Sequence, residues 1–130
     1  MWQSIAAAAA GAGSGASHGI GYVLCAGFGV PHGHTSCAML PAVLTWNAAV
    51  NAERQRALSE AMGAPDRPAA ALVADLIAAL EQPGSLRAVG IRREDLDAIA
   101  ERALGYPPVR KNPRPIATAA QVREILELAW

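Results

Sequence analysis

The chain has 130 residues, enough for one domain with a modest core; 52% are apolar and 17% charged, against about 25% charged in an average soluble domain. Formal net charge is zero, which excludes a general binder of nucleic acid or of acidic membrane surfaces, because both depend on a basic excess. The charges are also segregated: residues 1–52 contain no Asp, Glu, Lys or Arg, and every charged side chain follows Ala52.

An uncharged segment of that length is covered by lipid or by protein. Lipid fits badly. Any window of about 20 residues within it is broken by several Gly, Ser, Asn, His or Pro, and the expected Lys/Arg flank is missing. A signal peptide fits no better, since residues 1–12 have neither a basic leader nor a leucine-rich centre. Cys25 and Cys37 show no small-secreted pattern, so a reducing, cytoplasmic compartment is expected. Neither has a basic neighbour to stabilise a thiolate, and both read as small apolar core residues.

In chain order, residues 1–10 form an alanine-rich helix that Gly11, Gly13 and Gly15 break. Ser17 caps a helix carrying His18, Tyr22 and Cys25 on one face at spacings of four and three. Gly27, Gly29 and Pro31 end it. The next helix starts near His34 or Thr35, tolerates Pro41 in its first turns and runs to about Ala49. Asn51 caps an amphipathic helix over 51–62, with Ala57, Leu58, Ala61 and Met62 on its inner face. Residues 68–80, opened by Pro68, read as the most buried helix. Leu86, Val89 and Ile91 make an apolar link to a helix over 93–104 that points Leu96, Ile99, Ala100 and Leu104 inward. A proline-broken loop spans 106–115. Thr118 and Gln121 form a capping box for a last helix ending at Trp130. Strand alternation is missing, so the fold is all-α, with five to seven helices in one domain.

The chemistry concentrates between Gly15 and Pro41, which holds all three histidines and both cysteines. Neutral imidazole is a good ligand for iron or zinc, and His18 and His32 are the candidates. Read alone, two isolated histidines are better taken as helix-end residues satisfied by backbone hydrogen bonds. His34 is a candidate third ligand or catalytic group, although an imidazole two residues along a turn commonly points away. Tyr22 is either a packing residue or a phenol that donates a proton in a pocket. Gly27, Gly29 and Gly33 follow a helix instead of a strand, the wrong setting for a phosphate cradle.

The run His18-Gly-Ile-Gly-Tyr22 followed by Val30-Pro31-His32-Gly33 resembles the iron-containing alcohol dehydrogenases, and especially their maleylacetate-reductase-like branch. The family pattern is a helix beginning H-x-x-x-H, then a glycine-rich turn and P-H-G, with the last two metal ligands fourteen residues apart, as His18 and His32 are. The resemblance continues through MLPAVLTWN, PGSLRAVGI, KNPRPI and VREILELAW. It implies the helical C-terminal half of the dehydroquinate synthase-like fold, with His18 and His32 descended from metal ligands. It also implies NAD(P)-dependent reduction of a carbonyl or oxidation of an alcohol. Two departures stand out. The nucleotide-binding α/β domain and the family's other two ligands, an Asp and a first His, are absent from this sequence. Tyr22 replaces the histidine that the family usually carries four residues after the ligand that His18 matches.

Two functions follow as expectations. Either the chain is the metal-bearing half of such an oxidoreductase, with a separate nucleotide-binding chain supplying NAD(P) and the remaining ligands. Or it is a repurposed stand-alone domain, a homo-oligomer acting without nicotinamide on a small-molecule ligand through His18, Tyr22, His32 and His34. A start at Met1 and a family-like end at Trp130 allow the chain to be made as it stands. Under both readings the uncharged segment is covered by a second copy or a partner.

Overall fold

The computed structural model describes residues 14–130; the helix expected over 1–10 lies outside the described residues. Six α-helices and one 3-10 turn make up the described chain, with no strand among the described residues, as the all-α expectation requires. Gly15, not Ser17, opens the first helix, α1 (Ala16–Phe28). No local side chain caps it. The Ala16 amide instead donates to Asn112 Oδ1 at 3.2 Å, across 96 residues of sequence. Ala16, Ile20 and Leu24 repeat every four residues and are fully buried. Gly29 ends the helix in a left-handed conformation (φ 68°) that suits glycine, and its N–H bonds back to Leu24 O.

α2 (His32–Ala61) merges the two helices expected on either side of Asn51. Asn51 itself is non-helical (φ −135°, ψ 29°), so the break falls where the sequence placed it, as a kink within one long element. Gln55 bridges the kink: its Nε2 donates to Leu44 O at 2.7 Å and Asn51 Oδ1 at 2.9 Å. Pro41 lies in the third turn, deeper than expected. Before the kink, Thr35, Ala38, Met39, Ala42, Val43, Trp46 and Asn47 form one buried stripe. Beyond it the expected inner face is outside. Ala57, Leu58, Ala61 and Met62 are exposed, and Ser59 is the buried residue.

α3 (Ala69–Ala79) also departs from expectation. Among the described helices it packs against α2 alone, so Ala69, Leu72 and Ile77 are its buried residues, while Leu76 and Leu80 are exposed. A run of apolar residues reports what a helix can bury; the number of neighbours decides what it does bury. After the 3-10 turn Arg93–Asp95, α4 (Leu96–Leu104) buries Leu96, Ile99, Ala100 and Ala103, leaving Leu104 half-buried. The proline-rich loop contains a single helical turn, α5 (Pro107–Arg110). The capping box of Thr118 and Gln121 opens α6 (Ala119–Ala129) as expected. α6 packs on α4 and α2, and Leu86 N–H donates to Ala129 O at 2.7 Å, tying the apolar link to the last turn. No helix among the described residues is long and apolar enough to cross a membrane.

One polar network holds these elements in register. Asn112, buried in the loop after α5, donates from Nδ2 to Asn47 Oδ1 at 2.6 Å and to Arg114 O at 2.8 Å. Its Oδ1 accepts from Ala16 N–H and, at 3.4 Å, from Asn47 Nδ2. Arg114 lies 3.6 Å above the Trp46 ring and donates to Trp46 O at 3.2 Å. Both asparagines are nearly saturated, so removing either leaves buried groups unpaired. Asn112→Ala should cost roughly 2–4 kcal/mol, since unsatisfied buried groups cost about 1–3 kcal/mol each. Urea unfolding should show it, whereas Asn112→Asp, retaining the acceptor for Ala16 N–H, should restore part of the loss.

The surface adds a pH dependence. Hydrogen bonding by Arg123 holds the Glu127 carboxyl below the usual carboxylate range, against a smaller opposing effect of burial, with Arg93 adding to the lowering. A carboxylate whose folded pKa is depressed stabilises the fold above its unfolded pKa and loses that contribution as pH falls through the folded value. Stability measured from about pH 6 down to about pH 2, which brackets the ordinary carboxylate range, should therefore fall on acidification, and less steeply in Glu127→Gln.

Candidate functional site

Two close helix crossings build the site. At the first, α1 meets α2: a Cβ on Gly21 would stand 2.8 Å from Thr35 Oγ1 and 3.2 Å from Thr35 Cβ, so only glycine allows this approach. Thr35 is turned inward and donates to His32 O at 2.7 Å. His18 lies three residues before Gly21 and His32 three residues before Thr35, so the crossing carries both histidines to one place. Their ring centroids are 5.7 Å apart and the rings are nearly perpendicular, at 81°. Both are exposed.

At the second crossing α1 meets α5. A Cβ on Gly19 would stand 2.6 Å from Val109 Cγ2 and 3.1 Å from the Val109 backbone nitrogen. Tyr22 lies three residues after Gly19 and Tyr106 three before Val109, and their rings stack at 4.9 Å with planes 6° apart. Tyr22 is 49% exposed despite this contact. The packing reading of Tyr22 thus acquires a specific partner, and the residue lies one helical turn from His18 on α1.

The other candidates are placed differently. His34 is half-buried and makes no ring contact with either histidine among the described residues. Cys25 is exposed and Cys37 half-buried, which corrects the expectation that both are core residues. The face of α1 carrying His18, Tyr22 and Cys25 points outward because Ala16, Gly19, Ile20 and Leu24 occupy the inward side. Among the described residues no group of three or more His, Cys, Asp or Glu is arranged to hold a metal. Two imidazoles are what the crossing offers.

Residues 3–130 match the model of the C-terminal part of the Fe-containing alcohol dehydrogenase family. The chain belongs to that family. It is 35% identical over 113 residues to maleylacetate reductase 1 of Rhodococcus opacus, covering 87% of this chain and 30% of that relative. It is 32% identical over 127 residues to lactaldehyde reductase of Escherichia coli K12, covering 91% and 33%. The crystal structure of a 1,3-propanediol oxidoreductase superposes with a TM-score of 0.82 at 26% identity, over 89% of this chain and 32% of that one. The helical fold is therefore that of the family's C-terminal part, and the chain spans about a third of the length of the curated relatives it matches. Tyr106 had no signal in the sequence, where it stood in a loop 84 residues from its stacking partner.

The stack is measurable in this iron-alcohol-dehydrogenase domain. A double-mutant cycle with Tyr22→Ala and Tyr106→Ala should give a coupling at the lower end of about 0.5–1.5 kcal/mol, because both rings are partly wet. Additive losses would mean that the two rings are neighbours without mutual stabilisation.

Proposed function

We propose that this chain is the metal-bearing helical part of an oxidoreductase that reduces a carbonyl or oxidises an alcohol, with NAD(P) bound by a separate nucleotide-binding chain. The observation that carries the reading is the His18–His32 pair, two exposed imidazoles set 5.7 Å apart within an uncharged segment. Iron or zinc fits them in type, since both metals accept neutral imidazole, but two ligands fall short of the three or four that such sites employ. Residues 14–52 hold no carboxylate, so the segment that carries the two histidines offers nothing to offset the ion's charge. The missing ligands, at least one anionic, must come from the partner.

Once bound, the metal would act as a Lewis acid on the substrate oxygen. This chain's own contribution is positional. The Gly21–Thr35 crossing sets the spacing of His18 and His32, and Thr35 anchors the carbonyl of the residue that carries the second imidazole. Tyr22, held by its stack on Tyr106, presents a phenol one helical turn from His18. Its Oη would donate a hydrogen bond to the substrate oxygen. The exposed apolar residues of the uncharged segment, Tyr22, Leu40 and Val50 among them, are surface for a partner chain to cover. We place this assembly in the cytoplasm, where Cys25 and Cys37 stay reduced.

Metal binding tests this directly. Zinc added to the full chain should bind weakly, and His18→Ala or His32→Ala should each weaken it at least tenfold while leaving the far-ultraviolet circular dichroism unchanged. Stoichiometric zinc or iron should survive gel filtration only when a nucleotide-binding partner co-elutes. Unchanged zinc affinity in the double histidine variant would sink the reading. Metal retained by a homo-oligomer alone would replace the nucleotide-binding partner with a second copy.

A further inference from the structure

Beside the tyrosine stack, on the flank of α1 away from its buried stripe, an open cleft of about 240 Å³ is lined by Tyr22, Val23, Ala26, Gly27, Arg102 and Tyr106. Its walls are mostly apolar, and its one charged side chain is Arg102. That guanidinium lies 5.8 Å from the centre of the Phe28 ring and crosses close over α1, so that a Cβ on Gly27 would stand 3.1 Å from Nη1. Arg102 takes part in none of the ion pairs among the described residues, as is also true of Arg54, Arg87, Arg110 and Arg114, but of these only Arg102 lines the cleft. α4 therefore places an arginine without a carboxylate partner against a segment that contains no carboxylate to offer it.

We propose that this cleft binds a small aromatic monocarboxylate, with its ring against the tyrosine wall and Ala26 and its carboxylate on Arg102. A planar guanidinium matches a carboxylate with two parallel hydrogen bonds, and the charge complement is missing from the protein itself. Flat aromatic walls favour a flat ring, which they meet by stacking or edge contact at little conformational cost. Size limits the ligand. An apolar cavity of about 150 Å³ holds benzene, and drug-sized ligands occupy roughly 300 Å³ or more. A cleft between these values suits one ring with one short polar group. Gly27 contributes by its lack of a side chain, which leaves room for the guanidinium over the helix. The site lies one turn along α1 from His18, but ligand binding here needs no metal and stands independently of the histidine pair.

Benzoate is the probe, titrated into the full chain by calorimetry and followed by amide shifts in two-dimensional NMR. Saturable one-to-one binding is expected, with shifts confined to residues 22–28 and 102–106. Benzamide, which keeps the ring and lacks the charge, should bind at least tenfold more weakly. Acetate, which keeps the charge and lacks the ring, should do the same. Arg102→Gln, an exposed change on a helix surface, should weaken benzoate at least tenfold without altering thermal stability, and Tyr106→Leu should erase the preference for benzoate over acetate. Absence of saturation, equal binding of benzamide, or unchanged affinity in Arg102→Gln would each overturn the proposal. Because zinc is left out, failure here leaves the metal reading untouched, and loss of zinc binding in the histidine variants leaves this one untouched.

Discussion

Everything at the site depends on how α1 is held, and α1 is held at its start by a residue near the other end of the chain. A helix beginning at Gly15-Ala16 has free amides and no local cap. Asn112 supplies the acceptor, and Asn47 in turn orients Asn112 through a pair of reciprocal side-chain bonds. Three segments distant in sequence thus meet at two buried amides. Such a network is stable only when complete, because each group removed from water must find a partner in the interior. With the first turn of α1 fixed, His18 is fixed with it.

The second constraint is the distance between backbones. Gly19 and Gly21 let α1 come within contact of α5 and α2 at once, on two sides of the same turn. Each approach brings a pair of rings together at its edge, the imidazoles on one side and the phenols on the other. The uncharged character of this region follows the same logic. Small and apolar residues allow close crossings and leave a surface that another protein can cover without desolvating charge, while later helices carry the ion pairs, such as Arg123 with Asp97 and Glu127, on their wet faces.

Much of the architecture was legible from local rules. The capping box at Thr118, the break at Asn51, the glycine stop after Phe28 and the inward stripe of α4 all rest on interactions within one or two helical turns, which the sequence displays directly. What misled was burial. Residues 68–80 and 51–62 have apolar positions at helical spacing, yet α3 and the end of α2 have only each other for cover, so much of that surface stays exposed. Cys25 failed for the same reason, because hydrophobic residue types were read as a core before the neighbours were known.

The sequence by itself determined the all-helical class and the family, since helix periodicity is local and the resemblance runs along nearly the whole chain. Tertiary structure alone decided that Tyr22 stacks on Tyr106, that Arg102 overhangs Gly27 and that Asn112 caps α1. Each of these contacts joins residues more than 70 positions apart, and no local preference encodes which distant side chain will fill a given gap. The register in which the helices pack makes that choice, set here by two glycines and a pair of buried asparagines.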